Sequence, residues 1–260
     1  MNERQRHQKI LQLLSHQSII TVEELVTLLG ASLATVRRDL NALAEANLLK
    51  RIHGGAEAIT TTSQPSLAGQ PFYSSEALHV AEKSAIAREA VALCRDGETI
   101  IINGGTTTYR MAEFLTQRNL HILTNSFTMA DYLLRHSNNQ VILPGGEVYR
   151  EQNIILSPFE HDTTVDHFYA SKMFMGAYAV RQQGIIEADP LLIKAEQKLI
   201  KQTEELIVLV DSSKFSAVGS LILCLLERVN TLVTDHKVSD ATVTMLEQAG
   251  IKVIVAAIES

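Results

Sequence analysis

Arg37 and Arg38 stand side by side in the run SLATVRRDL, residues 32–40. A guanidinium holds a guanine edge or a phosphate with two parallel N–H donors. Ser32 and Thr35, just upstream, carry hydroxyls that donate to phosphate oxygens near a helix start. Lys50, Arg51 and His53 follow in LLKRIHGGAEAI, placed to touch phosphates or a minor groove if that segment folds back on itself. A second set lies downstream at Asn103-Gly104-Gly105-Thr106-Thr107-Thr108. Its glycines let backbone approach an anion and its threonines add hydroxyl donors, a composition suited to phosphate. The run is neither a Walker loop nor a GxGxxG fingerprint, so no nucleotide or other cofactor is implied.

The elements that must position these groups are legible from spacing. Apolar positions in 3–15 recur with helical period. A second helix starts at Thr21, with Glu24 at the capping-box spacing, and ends at Gly30. A third, capped by Ser32 and running to Glu45, buries Leu33, Val36, Leu40 and Leu43. Asp39 between them orients a neighbouring arginine. Two short segments then flank Gly54-Gly55, a hairpin. Helix, turn, reading helix and hairpin in that order spell a winged helix-turn-helix over 1–58. A small helical cap or dimerisation domain would share the amphipathic helices, but not the paired arginines and glycine-tipped hairpin.

Residues 59–75 are rich in Thr, Ser, Pro, Gly and Gln, a linker or an arm laid over the next domain. From 76 to 260 short β-branched runs alternate with helical patterns. The strands are expected at 99–103, 121–125, 141–146, 172–177, 206–211, 231–235 and 252–256, with helices at 82–95, 107–117, 126–136, 191–204 and 240–249. Apolar strands alternating with helices predict an α/β, Rossmann-like domain with a mostly parallel sheet. Ligands of such sheets bind beyond the carboxyl ends of the strands. Asn125, Gly145, Gly146, Arg150 and Lys214 all follow strands, and with 104–108 they fit a polyol phosphate. The same residues also fit plainer roles: the glycines a strand–helix turn, Asn125 and Ser126 a helix cap, Lys214 the surface.

Composition narrows the class. With 46% hydrophobic residues the chain can bury a core. No apolar run spans a membrane and the N-terminus lacks a secretory signal, so a cytoplasmic protein without a membrane partner is expected. Residues 1–60 carry seven Lys and Arg against six acids, +1, leaving −7 of the total −6 to the rest. A locally basic module on an acidic body suits local contact with DNA. Cys94 and Cys224 sit in apolar runs and read as packing residues. His161, Asp162, Asp166 and His167 match no common metal-ligand spacing and read as solvated surface.

VEELVTLLGASLATVRRDLNALAEANLLKRIHGGA resembles the DNA-binding domain of the DeoR family of regulators, with TVRRDL and HGG the most specific parts. EKSAIAREAVALCRDGETIIINGGTTT, ILTNS, ILPGGEVYR and LVDSSKF resemble the family's sensor domain in the same order. ILSP and AEQK look most like the branch that holds the L-ascorbate-utilisation repressor. The resemblance implies a sensor folded like ribose-5-phosphate isomerase, a phosphorylated-sugar effector, operator DNA as partner, and a homodimer or homotetramer. It also implies Gly104–Thr108, Asn125, Gly145, Gly146, Arg150 and Lys214 as effector contacts, and places Glu196 and Lys198 in the matching helix. Many members read Asp-Gly where this chain has Tyr178-Ala179, which removes one carboxylate. The function expected is a carbohydrate-operon repressor and not an enzyme. Its alternatives are an activator, or an isomerase-like enzyme with a DNA-binding head that uses Glu147, Glu187 or Asp189.

Overall fold

The computed structural model describes residues 3–16, 19–45, 48–52, 54–58, 71–157 and 163–258. The chain divides into two compact units, Met1–Ser66 and Leu67–Ser260. The first contains α1 (Glu3–His16), β1 (Ile19–Thr21), α2 (Val22–Leu29), α3 (Leu33–Glu45), β2 (Leu49–Ile52) and β3 (Gly55–Ala58). Thr21 caps α2: its hydroxyl accepts the Glu24 amide at 3.2 Å, and Glu24 Oε2 accepts the Thr21 amide at 2.8 Å. Ile10, Leu14, Leu25, Val36, Leu40 and Leu43 form the core of the three helices.

β2 and β3 pair antiparallel, as the glycine-tipped hairpin predicted. β1, only three residues long and not anticipated, pairs with the other edge of β3. Gly55 makes that approach possible, because a Cβ there would lie 2.3 Å from the Ile20 carbonyl oxygen. One core assignment fails. Leu33 is 46% exposed, and Ser32 and Ala34 beside it are exposed too. The first turn of α3 therefore stands clear of the core that holds Val36 and Leu40.

The second unit begins with α4 (Phe72–Glu76), α5 (Val80–Ala92), β4 (Thr99–Ile102), α6 (Thr106–Tyr109), α7 (Met111–Phe114), β5 (His121–Thr124), α8 (Phe127–His136) and β6 (Gln140–Ile142). It continues with β7 (Glu147–Tyr149), β8 (Ile154–Leu156), α9 (Thr163–Asp166), β9 (Ala170–Met175), β10 (Ala179–Arg181), β11 (Gly184–Glu187) and α10 (Pro190–Lys201). It closes with β12 (Thr203–Leu209), β13 (Leu221–Cys224), β14 (Thr231–Asp235), α11 (Asp240–Gln248) and β15 (Lys252–Ala256). All seven anticipated strands enter one parallel sheet, in the order β15-β14-β12-β9-β4-β5-β6.

Both faces of the sheet are covered. Ile100 and Ile102 pack with Phe174, Ile207 and Leu209 on one side. Ile101 packs with Met173, Met175 and Val208 on the other. Period-two alternation between two apolar cores is why these strands read as continuous apolar runs. The chain lays β5 and β6 on one side of β4, then returns to place β9 on the other. A crevice opens where strand order reverses, between the carboxyl ends of β4 and β9.

Two antiparallel additions escaped the sequence: the hairpin of β7 and β8, and the sheet β10-β11-β13. The expected helix 107–117 is broken into α6 and α7 at Arg110. Of the segment 59–75, residues 59–70 lie outside the described residues. Phe72 in α4 is buried, edge-on to Tyr109 with centroids 5.5 Å apart, and its amide donates to the Glu151 carbonyl at 2.9 Å. Cys94 and Cys224 are unbridged, and burial pushes their thiols up to about 12 and about 11, which leaves them inert near neutral pH. Among the described residues no acidic, histidine or cysteine group is placed to hold a metal. His167 and Asp166 are exposed, and His161 and Asp162 lie outside the described residues. No described helix is long and apolar enough to cross a membrane.

Candidate functional sites: a nucleic-acid interface and an anion pocket

In the first unit α3 turns its buried stripe, Val36, Asp39, Leu40 and Leu43, to the core. Arg37 and Arg38 fall on the exposed side. Ser32 Oγ accepts the Thr35 amide at 3.2 Å and lies 2.9 Å from Thr35 Oγ1. The amide closes the cap, one hydroxyl proton bridges the two hydroxyls, and the other is left to donate outward. Leu33, also exposed, adds an apolar surface to this end of the helix. In the hairpin Lys50 is 70% exposed and only 3.4 Å from Glu57, a surface pair too solvated to immobilise it. Arg51 is half-buried, and its Nη1 has no partner among the described residues. His53 lies outside the described residues.

Asp39 does not orient a neighbouring arginine of α3. It is buried, and it accepts Arg6 Nε at 2.6 Å and Arg6 Nη2 at 3.0 Å, with His7 Nε2 at 3.2 Å. A carboxylate on the core side of α3 thus clamps α1 across its back.

In the second unit a cavity of about 360 Å³ sits at the strand-order reversal. That is the volume range of small-ligand sites. Gly104, Gly105, Thr106 and Thr107 form one wall, with Lys214 entering from the turn after β12. Gly104 is held tightly: its amide donates to Asn125 Oδ1 at 2.7 Å, and a Cβ would lie 2.4 Å from Ile154 Cγ1. Lys214 Nζ lies 6.0 Å from the centroid of the Tyr178 ring, which lines the same cavity.

Five of the anticipated effector residues do not line this cavity. Thr108 is buried and its hydroxyl donates to the Asn103 and Gly105 carbonyls at 2.9 and 3.0 Å. Asn125 uses its oxygen to hold Gly104, and it lines a neighbouring cavity of about 850 Å³ together with Arg150. Gly145 and Gly146 lead into β7. Gly146 is required by the hairpin, since a Cβ would meet the Leu156 carbonyl oxygen at 2.3 Å. Of the three acids weighed for catalysis, Glu147 lies on the neighbouring cavity, Glu187 lines the smaller one, and Asp189 caps α10.

Sequence reasoning missed the pocket's main cation. Lys83 of α5 lines the cavity, is only 3% exposed, and donates to the Ser75 carbonyl at 2.5 Å. Burial pulls its ammonium down to about 8. Asp211 and Glu76 oppose that shift, and Lys214 and Arg110 reinforce it. Its signal was present in the sequence. Lys83 stands three and four residues before Ile86 and Ala87, in the stripe that faces the core.

A family model described as the DeoR-like helix-turn-helix domain matches residues 6–62, and one described as the DeoR C terminal sensor domain matches residues 78–236. The chain is 34% identical over 255 residues to the HTH-type transcriptional regulator UlaR of Shigella dysenteriae serotype 1 (strain Sd197), over 98% of this chain and 99% of that one. Two solved structures are more distant. Ribose 5-phosphate isomerase A from Methanocaldococcus jannaschii has a TM-score of 0.38 and 20% identity over 51% of this chain and 53% of that chain. The full-length sorbitol operon regulator SorC from Klebsiella pneumoniae has a TM-score of 0.41 and 14% identity over 95% of this chain and 99% of that chain. Matched by family models at both of its units and by a regulator along nearly its whole length, the chain belongs to the DeoR family of DNA-binding transcriptional regulators.

Proposed function

We propose that this protein is a repressor of a carbohydrate-utilisation operon, released from its operator when a phosphorylated sugar enters the cavity at residues 104–107. Residues 1–58 serve as the DNA-binding head, 59–75 as the connection and 76–260 as the sensor of a cytoplasmic homodimer or homotetramer. The observation that carries this reading is Lys83, a buried ammonium at a small-ligand cavity. A buried cation is costly unless an anion joins it. Lys83, Lys214 and the first-turn amides of α6 together suit a phosphate, and the remaining polar wall suits hydroxyls. Coupling follows from differential affinity, the sugar phosphate favouring a conformation whose heads no longer match paired half-sites. Operator release, followed by fluorescence anisotropy while pentose and hexose phosphates are added, tests this. If no phosphorylated sugar releases DNA, the reading fails.

Ser32, Thr35, Arg37, Arg38, Lys50, Arg51 and His53 form the DNA contacts in this proposal. Leu33 joins them as an apolar contact for a thymine methyl. Arg37→Ala is expected to weaken specific operator binding by about 1–3 kcal/mol at fixed salt and to relax preference at one base pair. Equal loss on every sequence would make Arg37 a phosphate contact.

Effector affinity carries a pH signature. Lys83 is charged below about 8 and increasingly neutral above it, while a bound phosphate dianion holds its proton on. Binding therefore takes up a proton above that value. Affinity should fall about fivefold as pH rises from about 8 to 9, and stay nearly level between 7 and 7.5. Calorimetric titrations at pH 7, 8 and 9 read this directly, and a flat profile would remove Lys83 from the contact set.

A further inference from the structure

The cavity wall opposite in charge to its lysines has a chemistry of its own. Glu196 of α10 and Glu187 at the end of β11 both line the cavity. Glu196 is 3% exposed; its Oε1 accepts Asn103 Nδ2 at 2.7 Å, and its Oε2 has no partner among the described residues. Asn103 is itself fixed, its Oδ1 accepting the Gly176 amide at 3.2 Å. Glu187 is held differently, its Oε1 accepting the amides of Ala188 at 2.7 Å and Asp189 at 3.3 Å.

Resting on the sugar-phosphate reading above, we infer that Glu196 enters the complex as a neutral carboxylic acid whose O–H donates to a ligand oxygen. Glu187 is the carboxylate beside it that accepts a ligand hydroxyl and repels a second anion. The site thereby selects phosphorylated aldoses, ketoses or alditols and rejects phosphorylated sugar acids.

Three observations support this division of roles. Two carboxylates close together in one desolvated wall do not both ionise. The proton goes to the one with fewer donors, and Glu196 has one N–H partner against the two of Glu187. Burial, and then the Glu187 charge, raise Glu196 well above the usual carboxylate range, and only Asn103 opposes them. Glu187 is also raised by burial and by Asp189, with the two amides and Lys214 acting to keep it ionised. A protonated acid with an unpartnered oxygen is a hydrogen-bond donor waiting for an acceptor.

Matched pentose and hexose series test the assignment: ribose 5-phosphate against 5-phosphoribonate, glucose 6-phosphate against 6-phosphogluconate, with the corresponding alditol phosphates and inorganic phosphate alongside. Calorimetry on the full chain is expected to show at least tenfold tighter binding of the neutral-headed member in the series that binds. Glu196→Gln keeps one donor and one acceptor, so it should bind within about threefold of the wild type. Glu187→Gln should narrow the discrimination against the sugar acid by about tenfold. A sugar-acid phosphate that binds wild type as tightly as its aldose counterpart overturns this inference and leaves the sugar-phosphate reading standing. So does a discrimination ratio unmoved by Glu187→Gln, or a Glu196→Gln variant that folds, judged by its melting curve, but loses all binding. If no series and no inorganic phosphate binds, the sugar-phosphate reading falls and takes this inference with it.

Discussion

Asp39→Ala is expected to weaken operator binding sharply by destabilising the first unit, while the second keeps its fold. Asp39 is 4% exposed and holds Arg6 through both carboxylate oxygens, with His7 beside them. Arg6, foremost through its hydrogen bond, keeps the Asp39 carboxyl below the usual carboxylate range against the opposing effect of burial, and His7 adds to this. Losing one partner of a buried pair costs about 3–5 kcal/mol. Arg6 and His7 reach some solvent, so about 2–4 kcal/mol is the better expectation here. A domain of some sixty residues has a margin of only about 3–5 kcal/mol, so the change consumes most of it. The melting curve should lose or sharply lower its first transition and keep its second. Asp39→Asn, which retains one acceptor, should fall between. The linkage has a definite sign. A depressed carboxyl value means the clamp stabilises at pH above the ordinary range and fails as pH falls through the depressed value. Operator binding that survives Asp39→Ala would show that α1 is held some other way.

Lys83→Met is expected to remove the response to the effector and, at the same time, to stabilise the ligand-free sensor. Charge-assisted hydrogen bonds to phosphate contribute about 1.5–3 kcal/mol, so affinity should drop by about one to two orders of magnitude. DNA should still bind, because the first unit is untouched. The stability effect runs the other way. A lysine held at about 8, below its ordinary 10.5, destabilises the fold most at pH below 8, and that penalty disappears as pH rises through 10.5. The penalty is about 3 kcal/mol at neutral pH. Methionine removes it and loses the bond to the Ser75 carbonyl, for a net gain of about 1–2 kcal/mol. A rise of about 2–6 °C in the sensor transition should accompany the loss of response. A variant with lower melting temperature and normal release would contradict both halves.

The contrast between these residues shows which physics was readable in one dimension. The inner parallel strands declared themselves because they are buried on both faces, and a run such as Thr99–Ile102 has no other use for so many β-branched residues. The capping box at Thr21 and Glu24 declared itself because both partners lie within one turn. Strands β1, β7 and β8 are three residues long and owe their pairing to segments elsewhere in the chain, so no local periodicity marks them. The site divided along the same line. The glycine–threonine loop was legible as a phosphate-binding composition, and the cavity now lies against it. Asn125 and Thr108 have the right chemistry for a ligand, but the fold engages them in holding the loop. Asp39 stands beside two arginines in the sequence, but its partner Arg6 is thirty-three residues upstream. Lys83 needed one further step, the observation that a charged residue interrupts the buried stripe of a helix.

The reversal of strand order beside β4 places two burdens, packing and ligand binding, on different residues. The interiors of β4, β9 and β12 carry the packing, with Ile101, Phe174 and Val208 wholly enclosed. Just past their ends, positions 104–107, 176–178, 211, 213 and 214 form walls of the cavity on short connecting segments. Selection can therefore redraw the chemistry of those walls, one segment at a time, without disturbing the layers beneath. A randomised library confined to 106, 178, 187 and 214 should yield a high fraction of folded members with altered ligand preference. The same number of changes spread through 100–102 and 173–175 would yield few. Such a scaffold is evolvable because error and invention fall on different atoms.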